Sequence, residues 1–533
     1  MTRYLLAAIL SAGLLAGPAW AAARGAGVSA EEAAKALDSL AAQAEGRATL
    51  SADEAAQAAD VVRRAARALP AGDTVLLPRL RSLRDQRRAG YVPTAQKPLK
   101  ADRPLDRLLL ALDLDELKGL SPAEVRAYPS AEAFPGAVAR DAPRVSRTVE
   151  IDTRVPAWHS TGLYAAPGEV VTVTLPASAA DKGLDIRIGA HKDSLWRLDA
   201  WKRPPEITVQ IPLKAAMTPA ACAFGGPVYV VVPSGCTLGT VAVQIAGAVE
   251  APHFVLGKTP PAAWRETIRL RPAPWAELEG RKAVLTLPAK VVQALDDPEA
   301  LMAFWDSVID ACSELAACPL ERERPERYVA DVQISAGYMH AGYPIMLGLD
   351  VPPVMVDKAR MMKDGHGGVW GFWHETGHNF QVADWTFAGT GEVTVNLFSM
   401  YVFEKVCRNT NAGMGRVGRE TPPAKIKAYL AAGADFEKWK ADPFLGLVMY
   451  AQIQQAFGWD AYKKVFAEYR ALPAAERPKS DDEKRDQWLV RLSRAVGRNL
   501  GPFFQAWGVP TSPAARAGVA NLPAWMPEGF PPK

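Results

Sequence analysis

From about residue 28 to about residue 128, apolar residues recur at three- and four-residue spacing, and the stretches open on helix-start signals. Ser29-Ala-Glu-Glu32 and Ser51-Ala-Asp-Glu54 have the S-x-x-E form. In it the serine hydroxyl accepts a first-turn N–H and the glutamate reaches back to the serine's own. Ser121-Pro122-Ala-Glu124 repeats the form with proline at the first helical position, where its missing N–H is harmless. These signals predict an N-terminal α-helical region. The period changes near Arg147: residues 148–152, 170–175, 184–188, 207–211, 228–232 and 241–245 are short runs rich in β-branched residues, separated by Pro and Gly. Six such runs predict a β-sandwich, closed off by Pro252 and the Pro260-Pro261 step. Beyond Trp264 the patterns mix. Residues 283–287, 329–335 and 345–349 read as strands, and 300–315 as a helix. After Glu392 the helical period dominates, with helices predicted at 445–457, 460–470 and 486–496. The expected fold is multidomain: a helical N-terminal region (22–146), a β-sandwich (147–252), then an α+β domain (253–525) with a helical C-terminal half.

Composition narrows the function. The 533 residues are 49% hydrophobic and 23% charged, which excludes global disorder. Lys and Arg number 62 against 58 Asp and Glu, and a balance of +4 is too weakly basic to make nucleic acid the expected partner. Residues 1–21 carry Arg3, an apolar run over 4–16, then Gly17, Pro18 and the small-x-small triplet Ala19-Trp20-Ala21. This order reads as a cleavable export signal, giving a secreted or periplasmic product. No later apolar run reaches about 18 residues, so no transmembrane segment is expected after its removal. The five cysteines read two ways: as the pairs Cys222/Cys236 and Cys312/Cys318 with Cys407 left over, which an oxidising destination favours, or as five free thiols.

Candidate chemistry is concentrated in Trp370-Gly-Phe-Trp-His-Glu-Thr-Gly-His-Asn-Phe-Gln381. On a helix His374 and His378 lie one turn apart on one face, so two imidazoles can grip one zinc ion. Glu375 borders that face, outside the ligand set, where it can take a proton from an attacking water. Catalytic zinc takes a third protein ligand, and Glu392, at the start of a second predicted helix after Gly389 and Gly391, can complete a His, His, Glu set. Asn396, one turn beyond Glu392, reads either as support behind a ligand or as part of a solvated face.

These residues resemble the enhancin-like zinc metallopeptidases of peptidase family M-sixty, which attack mucins and other O-glycosylated proteins. The resemblance is carried by Trp-His-Glu-Thr-Gly-His-Asn-Phe-Gln, by Gly-Glu-Val-Thr-Val-Asn-Leu-Phe-Ser, and by Gly-Tyr-Met-His-Ala-Gly-Tyr-Pro-Ile within residues 331–346. It extends through Ser160-Thr-Gly-Leu-Tyr164, Ala456-Phe-Gly-Trp-Asp460 and Asn499-Leu-Gly-Pro-Phe-Phe-Gln-Ala-Trp507, covering about residues 147–525 but not the N-terminal helical region. It implies a gluzincin-type catalytic domain, Zn2+ held by His374, His378 and Glu392, Glu375 as the base, and an O-glycosylated, mucin-like protein as substrate. A donor to the oxyanion is also implied, with His340, Tyr343, His366 and Tyr401 as candidates, each of which reads equally as a structural residue. Of the nearby indoles, Trp370 and Trp385 are candidate glycan contacts, whereas Trp373 adjoins a ligand and reads as buried. The expected function is an exported zinc endopeptidase of O-glycosylated proteins. The alternatives are a zinc peptidase of unglycosylated envelope or extracellular proteins and a non-catalytic glycan-binding protein on the same fold.

Overall fold

The computed structural model describes residues 28–363 and 368–531, so the segment read as an export signal and His366 lie outside the described residues. The chain divides into two compact units. The first, over residues 28–92 and 99–118, holds the helices Ala30–Ala44, Ala52–Ala68, Leu77–Tyr91 and Pro104–Leu117. Ser29 accepts the Glu32 N–H at 3.1 Å, and Ser51 with Glu54 forms the full reciprocal box. Leu37, Leu40, Val62, Leu109 and Leu110 supply its core.

The third helix signal fails, which corrects the sequence expectation. In the second unit the Ser121 N–H does donate to Glu124 at 2.9 Å, but the chain makes one turn and no helix. Pro129 disfavours helical geometry at Tyr128, whose N–H instead donates to Ala223 O at 2.8 Å.

All six predicted runs in the β-rich region contain strands: Arg144–Asp152, Val170–Thr174, Asp185–Ile188, Val209–Pro212, Gly226–Val232 and Thr240–Glu250. Two more join them. Ala157–Ala165 is buried at five consecutive residues and so shows no alternation, and Met217–Ala221 carries Pro219, which an edge strand tolerates. Among the described residues these eight hydrogen-bond as one connected antiparallel sheet. Thr240–Glu250 makes the connection: Arg144–Asp152 pairs along it, and Val170–Thr174 and Ala157–Ala165 pair with successive parts of it. The strand bends at a bulge between Ala246 and Ala248. Gly247 there has φ +86°, and a Cβ would stand 2.8 Å from Val170 O, so the bend requires glycine.

The next sheet is mixed, in the order His253–Val255, Trp275–Glu279, Ala283–Pro288, Glu326–Asp331, Ile345–Gly348, Met339–His340. Ala283–Pro288 and Glu326–Asp331 are parallel, so a crossover must join them, and the helix Pro298–Leu315 supplies it. Glu326–Asp331 starts three residues before and ends four residues before the predicted 329–335; Glu326 and Arg327 are buried in it and paired, with Arg322 and Glu277 respectively. Met339–His340 forms the outer edge. The helical half follows, including Gly368–His378, Asn396–Lys405, Pro443–Phe457, Asp460–Arg470 and Asp481–Val496, around the buried Trp385, Trp439 and Trp488.

All five thiols are free, which corrects the expectation of pairs. Cys222 is in the core and donates to Ile207 O at 3.5 Å, whereas Cys236 lies in the loop beyond Gly226–Val232. Among the described residues no helix is long and apolar enough to cross a membrane.

Candidate metal centre

The helix Gly368–His378 buries Val369, Trp370, Phe372, Trp373, Thr376 and Gly377 and leaves His374 and His378 on its less buried side. Trp373 packs against Phe304 and Trp305 of the crossover helix, and the Thr376 hydroxyl donates back to Phe372 O at 2.6 Å. Glu392 sits in the short helix Gly391–Thr394, which runs on into Asn396–Lys405. The two elements approach closely because Gly377 has no side chain. A Cβ there would stand 2.8 Å from Phe398 Cβ and 3.0 Å from Val395 Cγ2.

Three side chains converge. His374 Nε2 lies 3.1 Å from His378 Nε2 and 3.0 Å from Glu392 Oε2, and His378 Nε2 lies 3.6 Å from Glu392 Oε1. The imidazoles are nearly perpendicular, at 88°. A tetrahedral zinc with bonds of about 2.0–2.2 Å holds its ligand atoms roughly 3.3–3.5 Å apart, so these spacings fit the ion. Among the described residues this is the one group of three such side chains placed to hold a metal. The imidazole side chains are 16% and 21% exposed and the carboxylate 48%, so the cluster opens to solvent on the Glu392 side.

Behind the ligands, two amides fix the ring tautomers. His374 Nδ1 lies 2.8 Å from Asn396 Oδ1, and His378 Nδ1 lies 2.7 Å from Gln381 Oε1. Both amides can present only oxygen to the rings. Asn396 Nδ2 donates to Glu392 O at 2.7 Å, and Gln381 Nε2 donates to Gly391 O at 2.9 Å and Thr394 Oγ1 at 2.8 Å. Nδ1 of each imidazole therefore carries a proton, and Nε2 is the atom turned toward the cluster. Both amides also join the histidine helix to the backbone beside Glu392. Hydrogen bonds from His374 and His378 hold the Glu392 carboxyl well below the usual carboxylate range, against burial. Burial pulls His378 down, but the Glu392 carboxylate outweighs it and holds the ring above the ordinary histidine value. Glu375, half-buried beside His374, adds to that field.

The remaining sequence candidates fall elsewhere. Trp370 is 4% exposed; its indole N–H donates to the same Asn396 oxygen, and its ring lies between Phe403, Phe444 and the Arg416 guanidinium. Trp385 is fully buried, stacked on Phe466. Neither offers a face to a sugar, which corrects both expectations, and Trp373 is buried as read. His340 has both ring nitrogens engaged, with Asp193 Oδ2 at 2.7 Å and Ala341 O at 3.1 Å. Tyr343 OH accepts the Trp158 N–H, and its ring lies under Arg324. Tyr401 is buried edge-on against Trp459. The contacts of these three are with those groups rather than with the His374, His378 and Glu392 cluster. Sequence reasoning missed Gln381. Its one signal is a position three residues beyond His378, within reach of the ring. It also missed Asn379, whose amide clasps the Gly342 N–H and C=O, each at 3.0 Å, and donates to Glu326 at 2.9 Å.

Comparison with known proteins gives the family of the chain. A family model described as Peptidase M60, enhancin and enhancin-like matches residues 247–508, and one for the N-terminal domain of M60-like peptidases matches residues 140–246. A TRPM8 channel-associated factor homolog of Xenopus laevis is 39% identical over 390 residues, 71% of this chain and 42% of that protein. The chain thus spans less than half the length of the curated relatives it matches. A solved Bacillus anthracis protein of unknown function is 24% identical with a TM-score of 0.58, over 72% of this chain and 80% of its own. The IMPa metallopeptidase of Pseudomonas aeruginosa, solved in complex with an O-glycopeptide, is 17% identical with a TM-score of 0.54, over 89% of this chain and 63% of its own.

Proposed function

The chain belongs to the M60 family of enhancin and enhancin-like peptidases, and from that premise we propose that it is a zinc endopeptidase that hydrolyses peptide bonds in O-glycosylated proteins. The observation that carries the reading is the convergence of two tautomer-locked imidazoles and a carboxylate. His374, His378 and Glu392 would hold the ion, which when bound supplies Lewis acidity toward a carbonyl and a more acidic water. Glu375 accepts a proton from the attacking water and returns it to the leaving nitrogen, so one water yields one carboxylate end and one amine end. Asn396 and Gln381 accept the Nδ1 protons and keep both Nε2 atoms aimed at the cluster. The protein-bound sugar is supported by the resemblance of residues 147–525 and by the O-glycopeptide in the IMPa complex.

Purified protein should take up one zinc, lose hydrolysis to a chelator and regain it with zinc. Glu375→Gln should keep the metal and lose turnover. Equal cleavage by mutant and wild type would remove Glu375 as base. The curated relatives are named as channel-associated factors, and a second reading is a glycan-binding protein that keeps the fold without hydrolysis. An intact Glu375 weighs against it, and zinc-loaded protein that binds a glycoprotein without ever cutting it would establish it.

A further inference from the structure

With Trp370 and Trp385 buried, the aromatic surface near the metal centre lies elsewhere. Of the large apolar and aromatic side chains that stand exposed among the described residues, Tyr338 is the sole aromatic, at 55%. Its hydroxyl donates to Asp350 Oδ2 at 2.8 Å, which pins the ring while its surface stays open.

Its place in the fold ties it to the cluster. Residues 338–342 run alongside the histidine helix for its whole length. The Tyr338 hydroxyl lies 3.9 Å from the position of a Cβ on Gly368, Met339 packs over Gly368 and Gly371, and Gly342 is held by Asn379, just past His378. From Gly368 to His374 is six residues, about 9 Å along the helix axis, a span that a side chain bearing a sugar can bridge from the reacting carbonyl.

We propose that Tyr338 is the platform on which a pyranose ring of the substrate stacks, with Asp350 accepting from its hydroxyls. The proposal rests on the O-glycoprotein reading above. A pyranose presents a C–H face that an exposed phenol ring can cover, and its hydroxyls need acceptors at the rim. Only one Asp350 oxygen is used by Tyr338, and an ionised carboxylate has lone pairs to spare. Because Tyr338 is already fixed by Asp350, little rotamer freedom is lost on binding. Leu349, 38% exposed beside Asp350, extends the apolar rim.

The test titrates the full zinc-loaded chain with methyl α-N-acetylgalactosaminide by ligand-observed NMR, and follows cleavage of one peptide in glycosylated and bare forms. Circular dichroism melts check that each variant is folded. Tyr338→Ala should weaken sugar binding about tenfold and erase most of the glycosylated-over-bare preference, whereas Tyr338→Phe, which keeps the ring, should stay within about threefold of wild type. Equal sugar binding by wild type and Tyr338→Ala, or none by wild type, overturns the platform. The peptidase reading fails separately: sugar binding that follows Tyr338 in a chain that cuts neither peptide leaves the platform standing without it. Cleavage of both peptides at rates independent of sugar and of Tyr338 does the reverse.

Discussion

Asn396 makes three contacts with one side chain: its oxygen receives the His374 and Trp370 N–H groups and its nitrogen donates to Glu392 O. Asn396→Ala removes the acceptor that sets the His374 tautomer and one link between the ligand-bearing elements. Zinc affinity, measured by competition with a chromophoric chelator, should fall about 10- to 100-fold, and Gln381→Ala should do the same through His378. An unchanged affinity would make both amides bystanders. His340 provides a pH signature of a different kind. Burial lowers its proton affinity, but the Asp193 hydrogen bond outweighs burial and holds it above the ordinary histidine value, while Asp193, despite burial, is held below the usual carboxylate range. The histidine's contribution to stability is full below its unfolded value of about 6.5 and is lost as pH rises through the folded one. The aspartate's is present above about 3.9 and is lost as pH falls through its folded value. The gap in melting temperature between wild type and His340→Ala should therefore be widest near pH 5 to 6 and close on the alkaline side. At this scale the ligands were legible because the i, i+4 spacing and its helix are local. Asn396 followed by the same rule from Glu392, but Gln381 reaches back from beyond the helix end. Trp370 and Trp385 were misread because what covers them, Phe403, Arg416 and Phe466, comes from distant segments.

Among elements, the contact that positions the site is backbone against side chain. Gly377 lets Phe398 and Val395 press onto the histidine helix, and that approach sets how far Glu392 stands from the imidazoles. Gly377→Ala must move one element, because the nearest atom is Phe398 Cβ at 2.8 Å, not the free end of a flexible chain. Overpacking of this kind costs about 1–3 kcal/mol, and here it should also separate the ligands. Both the urea midpoint and zinc affinity should drop, and a loss of stability with full zinc affinity would refute the coupling. In the first unit, Ser51→Ala removes a complete capping box and should cost about 1 kcal/mol, with no effect on zinc affinity. Elements with a local signature were readable, namely the capped helices and the β-branched runs. Ala157–Ala165 was not, since a strand covered on both faces shows no alternation, and the box at Ser121 was cancelled by Pro129 and by pairing with Ala223.

At the scale of the second unit, the two family matches meet between residues 246 and 247, inside the strand Thr240–Glu250 and at its bulge. Side chains as well as residues 251–252 join the eight-stranded and mixed sheets. Arg203, from the loop that follows Ala200–Trp201, forms a fully buried pair with Asp331 at the end of a strand of the mixed sheet: Nε and Nη2 stand 2.9 and 2.7 Å from its two oxygens, and the Pro204 and Asp193 carbonyls take further N–H groups. Arg327 repeats the theme, joining Glu277 to Ser160 and Trp158 O. Such pairs are poor sources of net stability but costly to break singly, because the partner left behind is a buried charge. Asp331→Asn should thus cost about 3–5 kcal/mol, whereas replacing both partners with apolar residues of similar size, Arg203→Met with Asp331→Leu, should recover most of it. Because this pair ties the loop after Ala200–Trp201 to the mixed sheet, and Arg327 ties that sheet to Ala157–Ala165, the loss should move a single unfolding transition monitored by tryptophan fluorescence and by far-ultraviolet circular dichroism. Two transitions, of which only one shifts in Asp331→Asn, would mean that the β-rich region folds independently of the mixed sheet, and that the buried pairs between them do not hold the metal-binding half in place.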